Sequence, residues 1–196
     1  MTYRQKILKA VYPAIMWFSK LTGKRAKMIE NDNPAIISDN PIHNFRVKLN
    51  NGAELPLEQF RGKKILIVNT ASNCGFTNQY DDLQRLSLDY KDKLVVIGFP
   101  ANDFKEQEKG SDAEIAEFCR INFGVTFPLA VKSSVVKGPQ QNPVFKWLSN
   151  KSENGWNDQQ PTWNFSKYLV DEHGYLQRYF DPGISPMDRD ILNAIE

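Results

Sequence analysis

A lone thiol, Cys74, follows almost at once on the apolar run Ile65-Leu66-Ile67-Val68 and precedes a segment of helical periodicity that opens after Thr77. That order delivers the sulfur to the C-terminal tip of a buried strand, the edge at which open α/β sheets carry their reactive groups. A helix N-terminus beside it favours negative charge and predicts a thiol pKa drawn down toward the nucleophilic thiolate. The same residue also reads as a small buried hydrophobe. Two further polar and aromatic groupings stand where strands end. One runs from Phe99 to Glu108 and holds Gln107; the other is Trp163-Asn164-Phe165. If those strands are neighbours, both loops meet around the thiol. Glu106 and Glu108, flanking Gln107, read as solvated. His43, Cys74, Cys119 and His173 lack zinc spacing, so no metal site is expected, and His43 reads as a surface linker residue and His173 as a turn residue. No C-x-x-C pair is present, which argues against a thiol–disulfide oxidoreductase.

The elements that must position these groups follow from pattern. Phe45, Val47 and Leu49 alternate with polar residues before Asn51-Gly52, which predicts a hairpin returning through Leu55. Residues 57–60 read as a short helical turn and 64–70 as the strand that leads to Cys74. Leu83, Leu86 and Tyr90 give an amphipathic helix over 78–90. Leu94 to Phe99 is a near-continuous apolar run, as in a parallel strand covered on both faces. Ser111-Asp112-Ala113-Glu114 is a capping box, with Ile115, Phe118 and Cys119 on the apolar face behind it. Phe127–Val131 reads as a strand, Asn142-Pro143 as a helix start, 165–171 with 175–180 as a hairpin, and Ser185–Asp188 as the start of a last helix. The result is one α/β domain with a parallel centre and an antiparallel edge. Trp147 and Trp156 read as core residues.

Net charge is +2, but residues 1–30 hold seven Lys/Arg against the single acid Glu30, so the remainder is mildly acidic. Three segments follow: a basic amphipathic extension over 1–30, a linker over 31–42 and the domain proper over 43–196. Ile7, Leu8, Val11, Ile15 and Phe18 fall at helical spacing, interrupted at Pro13. The apolar stretch is far below the roughly 20 residues that span a bilayer, and no small-residue cleavage site follows it. Residues 3–21 therefore either touch an anionic membrane surface peripherally or form a solvated or body-docked extension. Two cysteines cannot build a disulfide framework and suit a reducing, cytoplasmic setting. Basic residues of the domain are not interleaved with aromatics, so no nucleic-acid partner is expected.

The blocks ASNCGFTNQY, GFPANDFKEQEKGSDAEI, FGVTFPL and WNFSKYLVDEHG, in that order from about residue 42 onward, strongly resemble the glutathione peroxidase family. The resemblance implies a thioredoxin-like fold, a central mixed sheet flanked by helices, and reduction of hydroperoxides with no bound cofactor. It carries the family's tetrad over to Cys74, Gln107, Trp163 and Asn164. Neutral N–H donors from the last three would stabilise a thiolate without placing a fixed charge in the pocket. Cys119 matches the second cysteine of non-selenium members, which implies that it resolves a Cys74 sulfenic acid as an intramolecular disulfide, recycled by thioredoxin. A disulfide needs Cα atoms within about 7 Å, so the helix over 112–121 is expected to unwind in part.

The chain also departs from the family pattern. Ala101 stands where many members carry cysteine, and Asp103 and Lys105-Glu106 replace the commoner Gln and Gly-Gly. The short segment between Leu148 and Trp163 implies a monomer. The absence of a clear basic cluster favours thioredoxin over glutathione as reductant. The reading is a thiol peroxidase acting on hydrogen peroxide and organic or lipid hydroperoxides; the alternative is a peroxide-sensing relay that passes its disulfide to a partner protein.

Overall fold

A computed structural model describes residues 27–33 and 38–196, together with Gln5, Ile7, Ala10, Val11, Tyr12 and Ala14. Among the described residues from 27 onward, seven strands and five helices are named in chain order: β1 (Met28–Glu30), β2 (Arg46–Lys48), β3 (Glu54–Pro56), β4 (Lys64–Thr70), α1 (Gln79–Asp89), β5 (Leu94–Pro100), α2 (Asp112–Phe123), α3 (Pro143–Leu148), α4 (Lys151–Asn154), β6 (Lys167–Val170), β7 (Leu176–Phe180) and α5 (Arg189–Ile195). Five strands form one mixed sheet in the order β1-β7-β6-β4-β5, and β2 with β3 makes a separate hairpin. Within the large sheet only β4 and β5 run parallel; β4 pairs antiparallel with β6.

The alternation of β4 divides the core. Leu66 and Val68 face one side, with Leu83 and Leu86 of α1, Ile115 and Cys119 of α2, and Ile191 of α5. Ile65 and Ile67 face the other, with Phe145 and Trp147 of α3 and Val47 of the hairpin. Both faces of β4 are thus covered, which is why its sequence is an unbroken apolar run rather than an alternating one. The capping box at Ser111 and Glu114 forms, with reciprocal bonds that fix the start of α2, and Gly124 closes the helix at φ 61°. Trp147 is buried, and its indole N–H donates to the Asn40 carbonyl.

Four expectations change. Met28–Glu30, inside the expected extension, pairs antiparallel with Phe180–Arg178 and extends the sheet, so the domain begins before residue 43. Phe127–Val131 is no full strand: Leu129 and Ala130 make single bridges to Gly98 and Leu49. A Cβ at Gly98 would lie 2.6 Å from Leu129, so glycine is what lets this segment approach β5. The last helix starts at Arg189 with Asp188 as its cap, later than the Ser-Pro signal suggested. His43 is buried rather than on the surface, its ring filling the space that a side chain at Gly174 would need.

Candidate active site

Cys74 lies in the turn between β4 and α1, 1% exposed. The turn is stitched shut locally. Thr77 Oγ1 accepts from the Cys74 N–H at 3.0 Å and donates to the Ala71 carbonyl at 2.9 Å. The loop after β5 braces it from outside: the Asn73 N–H donates to the Gln107 carbonyl at 3.1 Å, and the Ser72 N–H and hydroxyl both donate to Glu108 Oε2, at 2.8 and 3.0 Å. Glu108 is therefore no solvated neighbour. It is 1% exposed, and burial raises its pKa to about 7. Glu106 is exposed and pairs with Lys109.

Donors converge on the sulfur. The Phe76 N–H reaches Cys74 Sγ at 3.4 Å. The Trp163 and Asn164 side chains and the Gly75 N–H lie near enough to favour the sulfur's charged form. Gln107 stands one step further out: its Oε1 accepts from Asn164 Nδ2 at 2.9 Å. Trp163 and Asn164 thus act on the thiol's charge, while Gln107 holds the Asn164 amide. The thiol pKa does not fall as the helix N-terminus suggested. Burial dominates and pushes it up, and the four donors oppose that push.

The end of β4 also holds the Trp163–Asn164 turn. Asn69 Nδ2 donates to the Trp163 carbonyl at 3.0 Å, and the Phe165 N–H donates to the Asn69 carbonyl. Phe165 sits at φ 69°, a left-handed conformation that costs on the order of 1 kcal/mol or more outside glycine. Lys167, fully buried, clamps this bend: its Nζ donates to the Phe165 carbonyl at 2.8 Å and the Ile184 carbonyl at 2.7 Å. Sequence reasoning passed over Asn69 and Lys167 and read Glu108 as solvated. The period-2 pattern of β6 held the signal for Lys167, since it shares the inward face of Leu169. A polar Asn directly after the apolar run, still within the strand 64–70, was the signal for Asn69. Glu108 had none, being one of several charged residues in a row.

Cys119 is fully buried on the inner face of α2, and burial pushes its thiol to about 12. The Tyr80 hydroxyl lies beside it. Both cysteines are free thiols. At the mouth, Phe104 packs on Trp163 with ring centroids 5.5 Å apart, and Lys105 Nζ stands 5.7 Å from the Trp163 ring. Asp103 ties this loop down, accepting from Ser134 Oγ and the Val135 N–H, both at 2.8 Å. A cleft of about 630 Å³ opens alongside, between Ser72, Asn73 and Gln107 on one wall and Ile115 and Phe118 of α2 on another.

A thioredoxin-like domain that holds a buried thiol under neutral N–H donors defines a class, the thiol-dependent peroxidases. The comparisons with known proteins narrow it. The family model for glutathione peroxidase matches residues 42–149. A glutathione peroxidase homolog, BsaA, of Staphylococcus epidermidis is 46% identical over 146 residues, 74% of this chain and 91% of that protein. The glutathione peroxidase-like peroxiredoxin HYR1 of Saccharomyces cerevisiae is 47% identical over 130 residues, 65% of this chain and 79% of that one. Among solved structures, Trgpx in its apo form superposes with a TM-score of 0.61 at 32% identity, covering 81% of this chain and 97% of that one. A DsbF homologue from Corynebacterium diphtheriae shares the fold at 14% identity, with a TM-score of 0.60, covering 88% of this chain and 95% of that one. The chain belongs to the glutathione peroxidase family and is a peroxidase of the oxidoreductase class.

Proposed function

We propose that the protein reduces hydrogen peroxide and organic hydroperoxides with Cys74 as nucleophile. The thiolate attacks one peroxide oxygen, the O–O bond breaks, and its electron pair leaves on the other oxygen, which takes a proton as water or alcohol. Cys74 becomes a sulfenic acid. The Trp163 and Asn164 N–H groups hold the anionic sulfur, and Gln107 keeps the Asn164 amide turned toward it. The observation that supports this reading is a buried thiol whose sulfur accepts from the Phe76 N–H, with the Trp163 and Asn164 side chains favouring its charged form. No full charge stands among them, so an apolar hydroperoxide can enter without stranding an ion.

Cys119 then attacks the Cys74 sulfenic sulfur. An S–S bond forms, the hydroxyl leaves as water, and a thioredoxin-type dithiol reduces the product by exchange. Cys119 is buried and strongly protonated in the reduced fold, so α2 must loosen before it can act. The Ile115 and Phe118 side of α2 borders the cleft, which gives that loosened turn room next to Ser72 and Asn73.

Steady-state peroxide consumption tests the scheme. Cys74→Ser should abolish turnover with every reductant. Cys119→Ser should lose turnover with thioredoxin, and wild type should run at least tenfold faster with thioredoxin than with glutathione. Slow turnover combined with efficient oxidation of a second protein would mark a relay instead.

A further inference from the structure

The described residues of the N-terminal segment, Gln5, Ile7, Ala10, Val11, Tyr12 and Ala14, are all helical, and they sort by side. Gln5 and Tyr12, two helical turns apart, face the body. Gln5 Nε2 donates to the Ser72 carbonyl at 3.0 Å, two residues from Cys74. The Tyr12 hydroxyl is buried and lies against Gln79 and Asp82 of α1. Ile7 and Val11, one turn apart, point the other way and are 46% and 40% exposed; Ala10 and Ala14 are exposed with them. Among the described residues of this helix, those against the domain make polar contacts and the aliphatic ones lie on the outer side.

We infer that this outward face docks the protein on an anionic lipid surface. Charge selects the occupant. Residues 1–30 carry seven Lys/Arg against Glu30 alone. A second copy of the same segment would bring like charges together. Two aliphatic side chains are also far from the ~800 Å² per partner of a stable protein interface. An anionic leaflet suits both features, because each basic residue near it strengthens association roughly fivefold and the aliphatic side chains enter the headgroup boundary. Gln5 also lines the cleft beside Ser72, Asn73 and Gln107. A helix is about 10 Å across, so lipid on its outer side brings the bilayer within about one helix diameter of the site. Docking stands apart from the peroxidase scheme; its consequence, that membrane-borne lipid hydroperoxides are the substrates favoured, rests on that scheme.

Sedimentation of the full chain with unperoxidised vesicles tests the docking without any turnover. The protein should pellet with phosphatidylcholine–phosphatidylglycerol vesicles at low salt and be released as salt rises. It should bind pure phosphatidylcholine at least tenfold more weakly. The Ile7→Asp/Val11→Asp double variant should bind the anionic vesicles about tenfold more weakly while consuming hydrogen peroxide in solution at the wild-type rate. Lys6→Glu/Lys9→Glu should also bind less. Wild type remaining in the supernatant, or the aspartate variant pelleting as well as wild type, would overturn the inference. So would a wild-type dimer, in the absence of vesicles, that the aspartate substitutions convert to a monomer.

Discussion

Opposing effects meet on one sulfur at Cys74. Burial pushes its pKa up, and the N–H groups of Phe76, Trp163, Asn164 and Gly75 pull it down. In such a dry setting each donor counts for more than it would in water. The ranking of Asn164 and Gln107 follows from which of them bears on the sulfur's charge and which bonds its neighbour. Asn164 favours the charged sulfur, and Gln107 Oε1 accepts from Asn164 Nδ2. Asn164→Ala should therefore lower the rate constant for peroxide attack by about 100-fold, the effect of removing one donor from such a hole. Gln107→Ala should cost only about tenfold, with the rest of the loss appearing as a raised thiol pKa in iodoacetamide alkylation. Equal losses in the two variants would contradict this hierarchy. Cys74, Gln107, Trp163 and Asn164 were legible because four motif blocks carried them. The direction of the Cys74 pKa was not, because the adjacent helix start was visible in the sequence while the depth of burial was not. Burial depends on α2 and the 104–108 loop closing over the turn.

The loop after β5 shows how an element absorbs a local cost. Lys105 and Glu106 both stand at φ 51°, where glycine is the natural occupant and the resembling family commonly has Gly-Gly. Lys105 recovers part of the strain by placing its ammonium over Trp163. Glu106 gains only a surface pair with Lys109, both side chains about 70% exposed, which contributes little. Glu106→Gly should thus stabilise the fold by about 1 kcal/mol, read as a higher urea midpoint with unchanged slope. A lower midpoint would mean that the ion pair outweighs the backbone strain. At this scale the helices and hairpins were legible from caps and periodicity. β1 was not, because three residues inside a basic stretch give no period, and their strand state exists only through pairing with β7. Phe127–Val131 reads as a strand for the converse reason: its apolar run packs beside β5, but Pro128 lacks the N–H a ladder would use.

The whole molecule carries two buried ionisable groups that work against each other. Glu108 keeps its proton to about 7 in the folded state against 4.5 ordinarily, because burial disfavours its charge. Between those values the folded chain binds more protons than the unfolded one, so stability falls as pH rises, by at most about 3 kcal/mol. Lys167 is lowered by burial from 10.5 to about 7, with Asp181 and Asp82 partly restoring it. Between 7 and 10.5 the unfolded chain binds more protons, so this contribution to stability rises with pH. Together the two groups predict a dip near neutral pH in urea unfolding. Glu108→Gln should flatten its acid side, and Lys167→Met its alkaline side at some cost to the Phe165 bend. An unchanged profile in both variants would contradict the account. The central claim is that Cys74 takes the oxidation and Cys119 resolves it. Adding one equivalent of hydrogen peroxide to the reduced protein and counting free thiols under denaturing conditions tests it most directly. The account predicts loss of both thiols in wild type through a Cys74–Cys119 disulfide, and a trapped sulfenic acid on Cys74 in Cys119→Ser. Retention of both thiols in wild type, or oxidation confined to Cys119, would contradict it.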